Sequence, residues 1–144
     1  SISAPAVRRI AEYDAPSLAN LSWSLASLLF HAFPGLSQGA HSVLWAALQR
    51  SGTLSKDFFR AIAAAAPRRA GDFAPQPLAS TAWAFAKLGV EDIPLFAAIS
   101  SQSIRTMSQF RTHAVASLAW SCAPLEFRDR PLLDAIAARA IATL

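Results

Sequence analysis

One phrase occurs three times along this chain, and it constrains the fold more than any other feature. It reads "LANLSWSLASLL" from residue 18, "LASTAWAFAKLG" from residue 78 and "VASLAWSCAPLE" from residue 115. Aligned on Trp23, Trp83 and Trp120, the copies agree well beyond the phrase itself. Ten residues earlier stands an aromatic, Tyr13, Phe73 or Phe110, and twenty-one earlier an isoleucine, Ile2, Ile62 or Ile99. Leu18, Leu78 and Val115 lie five before; Ala26, Ala86 and Ala123 lie three after; Leu28, Leu88 and Leu125 lie five after. Agreement at so many offsets marks a repeated supersecondary unit that buries its apolar surface by stacking on its neighbours.

The unit reads as two helices. The first, over 77–88, carries the tryptophan and is apolar nearly all the way round: Leu78, Ala79, Ala82, Trp83, Ala84, Phe85 and Ala86. Such a helix is buried on several sides, so the tryptophans are expected in the core. The second, over 93–103, contains "PLFAAIS", with counterparts "DFFRAIA" from residue 57 and "PLLDAIA" from residue 131. Ser55, Asp92 and Asp129 precede these segments at one offset and are N-cap residue types, whose side-chain oxygen accepts from an otherwise orphaned backbone N–H. Pro94 and Pro131 suit a first turn, and Gly89 suits the end of the first helix.

The expected fold is therefore all-α: an α-solenoid, a right-handed stack of helix pairs with a repeat of about 37 residues and roughly seven helices. Residues 1–144 read as a single helical-repeat segment, and because residues 2–12 match 99–109 the chain opens inside a second-type helix. It reads as a piece of a longer repeat protein, with any targeting segment outside it. The register has one irregularity. Trp83 and Trp120 are 37 residues apart but Trp23 and Trp83 are 60, and residues 33–54, with Trp45, form an irregular or inserted helix around 42–50 or else a degenerate repeat.

Composition narrows the class. Hydrophobic residues are 53% and charged residues 15%, too apolar for a disordered tail. The stretch free of Asp, Glu, Lys and Arg, 15–49, is broken by Pro34-Gly35, and its apolar part is shorter than the roughly 20 residues a spanning helix needs, so no membrane segment is expected. With a single cysteine, Cys122, no internal disulfide can form. His31, His41 and His113 share no metal-ligand spacing with one another or with Cys122, and no glycine-rich phosphate loop is present. No enzymatic activity and no cofactor are expected.

The phrases "LANLSWSLASL", "LASTAWAFAKL" and "VASLAWSCAPL", each tied to a second helix, resemble the octotricopeptide-like helical repeats of organellar RNA-binding proteins. That group includes repeats found beside FAST-kinase-like and RAP domains, and is similar to the HEAT-like repeats of RNA-editing substrate-binding complex proteins. The resemblance covers nearly the whole chain except about 33–54; "APQP", from residue 74, is a partial echo of the proline-rich turn of octotricopeptide repeats. It implies RNA binding in a mitochondrion or chloroplast, in RNA processing, stability or translation, with other proteins of an RNA-processing complex as further partners.

Candidate contacts with single-stranded RNA follow from equivalent positions. Gln76 and His113 stand seven before the tryptophan, and Asn20, Ser80 and Ser117 three before it. Polar residues repeated in this way read bases in one-base-per-repeat proteins; ordinary capping and packing of small polar residues is the simpler explanation. Six residues past the isoleucine stand Arg8, Arg68 and Arg105, followed by Arg9 and Arg69, a basic ridge for a phosphate backbone or cations offsetting helix C-termini. Stacking of bases on the tryptophans is disfavoured by their place in an apolar helix. A protein–protein scaffold is the competing function, since solenoids present extended surfaces to either partner.

Overall fold

The computed structural model describes the backbone of residues 8–10, 12–32, 35, 40, 43, 46, 47, 50, 56–124 and 127–143. These residues are all-helical, with no strand among them. Six helices have described bounds: α1 (Ala15–Ala32), α2 (Lys56–Arg68), α3 (Pro75–Leu88), α4 (Ile93–Thr106), α5 (Thr112–Cys122) and α6 (Arg130–Ala142). Short 3-10 turns, Ala70–Asp72 and Met107–Gln109, lead into α3 and α5. Residues 8–10 are helical, as are Ala40, Val43, Ala46, Ala47 and Arg50 in the irregular stretch. The rest of 33–54, including Trp45, and the Ser55 cap lie outside the described residues, so the choice between insertion and degenerate repeat does too.

The helices lie in two layers. In the first, α1 packs on α3 and α3 on α5; in the second, α2 packs on α4 and α4 on α6. Each first-layer helix also packs on the second-layer helix that follows it. Isoleucines Ile62, Ile99 and Ile136 are buried at matching places in α2, α4 and α6. Phe73 and Phe110, in the turns before α3 and α5, are buried as well, and Arg139 Nε donates to the Phe110 carbonyl at 3.0 Å, fastening α6 to that turn. Tyr13, the first of the three aromatics, departs from its counterparts and is 39% exposed.

The ends of the helices follow their chemistry. Asp92 Oδ1 accepts from the Leu95 amide at 2.8 Å and Asp129 Oδ1 from the Leu132 amide at 3.1 Å, so both expected caps form. Gly89 closes α3 with φ 65°, a left-handed conformation that costs a side-chain-bearing residue strain. Asp14 caps α1 by accepting from the Ser17 amide at 2.9 Å; hydrogen bonds from Ser17 hold this exposed carboxyl below its ordinary pKa.

Asp129 does more than cap. Its Oδ2 accepts from Ser100 Oγ, in α4, at 2.7 Å, joining successive second-layer helices. Asp92→Ala is therefore expected to cost about 1 kcal/mol, the ordinary worth of a cap, and Asp129→Ala about 2–3 kcal/mol, because buried Ser100 loses its acceptor. Urea denaturation of the two variants checks this; equal losses would assign no stability to the Ser100–Asp129 bond.

Burial along the first-layer helices separates four faces. Counting from the tryptophan, the residues five before and two after, such as Leu78 and Phe85, turn towards the second layer. Residues four before and three after are buried in α1 (Ala19, Ala26) and α3 (Ala79, Ala86) but exposed in α5 (Ala116, Ala123). This is the side turned to the next first-layer helix. Residues one after behave oppositely: Ser24 is exposed in α1, whereas Ala84 and Ser121 are buried. That is the side turned to the preceding helix. At 100° per residue these sides fall on opposite flanks of the helix, as packing between two neighbours requires. The buried hydroxyls on these helices are satisfied within their own turn: Ser22 Oγ donates to the Leu18 carbonyl, Thr81 Oγ1 to Pro77 and Ser121 Oγ to Ser117.

Candidate nucleic-acid interface

The fourth face is the open one. Residues seven and three before the tryptophan, and the tryptophan itself, fall within about 60° of one another around a helix. On α1 these are Pro16, Asn20 and Trp23; on α3 Gln76, Ser80 and Trp83; on α5 His113, Ser117 and Trp120. Pro16, Asn20, Gln76 and His113 are exposed, and Ser80 and Ser117 half-buried. Gln76 Nε2 donates to Ser80 Oγ at 3.4 Å across one turn. Because α1, α3 and α5 stand side by side, the three stripes make one surface of polar rows beside an aromatic row.

The tryptophans are not core residues. Trp23 is 50% exposed, Trp120 37% exposed and Trp83 half-buried. The expectation of buried tryptophans is thus overturned. The physical reason is the two-layer arrangement, which covers α3 on three sides, α1 and α5 on two, and leaves the same face of all three to solvent. Alanines, leucines, Phe85 and Thr81 fill the covered sides, and the tryptophan falls on the boundary between the open face and the next helix. The signal was present in the sequence. The polar residues three before each tryptophan, with Gln76 and His113 seven before two of them, share its helical stripe, so their polarity assigns that stripe to solvent.

At the α3–α5 step the row is tightly knit. The Trp83 and Trp120 ring centroids are 6.4 Å apart with planes tilted by 40°. Lys87, one turn beyond Trp83, is half-buried with its Nζ 5.7 Å from the Trp83 centroid and 4.7 Å from that of Trp120. Both distances are within reach of cation–π attraction. Lys87 was not among the residues expected to matter. Its counterparts, 60 earlier and 37 later, are Ser27 and Pro124, so the cation occurs at only one of the three positions.

The expected basic ridge falls at one end of the layers. Arg8, Arg9, Arg68 and Arg105 are exposed. Arg68 and Arg105 close α2 and α4, and the 3-10 turns that follow bring the chain straight to the N-terminal ends of α3 and α5, which carry Gln76 and His113. Arg69 differs: it is half-buried, and its charge acts on Asp14. Arg111, which sequence reasoning passed over, lines a cleft of about 210 Å³ with Gln76 and Gln109 between the starts of α3 and α5.

Cys122 occupies the position of Leu25 and Phe85 and is buried, its thiol 3.4 Å from the Leu118 carbonyl. Burial first, and the Asp129 charge second, push its pKa up, which keeps it a neutral packing residue. Among the described residues no helix is long and apolar enough to cross a membrane, and no cluster of His, Cys, Asp and Glu is arranged to hold a metal ion. No protein-family model matches the chain, and no curated protein matches it.

Proposed function

We propose that the two layers are a segment of an α-solenoid built on a unit of about 37 residues, and that its open first-layer face binds single-stranded RNA. The observation that carries this reading is the row of Trp23 and Trp120, both exposed, with half-buried Trp83 between them, flanked by polar side chains and by Lys87. Indole surface left in water is unfavourable, and a row of it beside cations suits unpaired bases, each with a π-face to stack. Asn20, Gln76, Ser80, His113 and Ser117 lie beside that row as groups for base edges. Arg8, Arg68 and Arg105 follow the backbone along one end. The resemblance to organellar repeat proteins supports a mitochondrion or plastid as the place and transcript processing, stability or translation as the role.

The test is binding of a pool of single-stranded RNAs at several salt concentrations. Contact with three to five phosphates gives a slope of log affinity against log salt of roughly −2 to −3.5. Replacing Arg8, Arg68 and Arg105 together by glutamine is expected to flatten that slope by about 2 while leaving the helical circular-dichroism signal intact. Unchanged salt dependence in the folded variant removes the ridge from the interface. Indifference of the parent to every RNA transfers the surface to a protein partner.

A further inference from the structure

Resting on the RNA-binding reading above, we infer that the Trp83–Lys87–Trp120 cluster is a guanine-selective subsite for one unpaired nucleotide. The cluster differs from the rest of the aromatic row in one respect, a cation held over the rings. Lys87 Nζ lies 4.7 Å from the Trp120 centroid and 5.7 Å from that of Trp83, so its ammonium shares the aromatic surface with any base stacked there. Half-burial of Lys87 and the approach of its Nζ to both rings narrow the region its ammonium reaches.

An ammonium has donors and no acceptor. It therefore discriminates among stacked bases by the acceptors they turn towards it. Guanine presents N7 and O6 side by side on one edge; adenine presents N7 beside an N6 amino donor, which an ammonium repels; the corresponding edge of cytosine carries a donor, and that of uracil a single O4. Guanine combines the paired acceptors with the stacking area of a purine. Ser27 and Pro124 stand where Lys87 does in the neighbouring stripes, so the same selection is absent beside Trp23 and beyond Trp120. Ser80 and Ser117, half-buried next to the rings, leave the rest of the base edge in a polar setting.

The experiment uses the whole chain and uridine-rich single strands that contain one guanine, one adenine, one cytosine, one inosine or one 7-deazaguanine at a central position. A single guanine avoids the quadruplexes that runs of guanine form. Fluorescence anisotropy is expected to show the guanine strand binding about tenfold more tightly than the adenine strand. Inosine, which keeps N7 and O6, is expected to match guanine, and 7-deazaguanine to lose most of the gain. Lys87→Met keeps the apolar stem and is expected to bring the guanine-to-adenine affinity ratio from about ten to about one, the loss of the cation itself weakening all strands alike. Equal binding of all strands by the unaltered chain overturns the subsite but leaves RNA binding standing. A guanine preference that survives in Lys87→Met removes Lys87 as its source, and inosine behaving like adenine moves recognition to another edge of the base. Binding of none of the strands rejects the RNA reading itself and the subsite with it.

Discussion

Phe85→Ala is expected to lower the unfolding free energy by about 3–5 kcal/mol. Phe85 is completely buried on the side of α3 that meets the second layer, and α3 packs on α1 at one flank and on α5 at the other. Leu78, Ala82 and Leu88 of the same helix are buried as well, and in a close-packed interior a cavity left by the ring closes only in part. Trp23→Ala removes a larger side chain yet is expected to cost within about 1 kcal/mol, because half of that indole is already in water. The comparison by urea denaturation, read by circular dichroism so that loss of the indole does not alter the probe, separates two views of the repeat. Tryptophan as the more costly loss would return it to the core and undo the open face.

Combined replacement of Trp23, Trp83 and Trp120 by alanine is expected to lower affinity for single-stranded RNA about a hundredfold or more, since each stacked base is worth about 1–3 kcal/mol. The expected loss does not depend on salt, and in this it contrasts with the arginine variant. Phosphate contacts set the slope of affinity against salt; stacking sets its height. A tryptophan variant that stays helical and keeps its RNA affinity takes the interface off this face. A variant that loses affinity and slope together points to a displaced backbone path rather than to lost stacking alone.

Local rules made much of the fold legible. Asp92 and Asp129 cap the helices they precede, Gly89 ends α3 in the left-handed region, and helices run over the segments named for them, α3 and α4 each reaching two or three residues further than expected. These features depend on residues a few positions apart, and a sequence carries such information directly. The burial of Trp23, Trp83 and Trp120 depends on how many neighbours a helix has, which no local pattern states. An apolar circumference fits a helix enclosed on all sides, and α3 has it except along one stripe. Reading Gln76, Ser80 and Trp83 as that stripe requires placing them together on the helix rather than weighing each alone. Lys87 escaped notice because it breaks the repeat, and only the geometry sets it over the Trp120 ring. Asp14 escaped because the segment after it, unlike those after Asp92 and Asp129, is a first-layer helix.

The alanines between first-layer helices have a metric consequence. Ala19 and Ala26 on α1, and Ala79 and Ala86 on α3, have no side-chain torsions with which to adjust, so backbone meets backbone through methyl groups. Alanine at such contacts favours the lower end of the usual 8–10 Å range of axis separations. The distance from one tryptophan to the next is in this way a fixed gauge, calibrated by the smallest side chain with a Cβ. A larger residue at any of these positions would stretch the gauge and shift every aromatic beyond it.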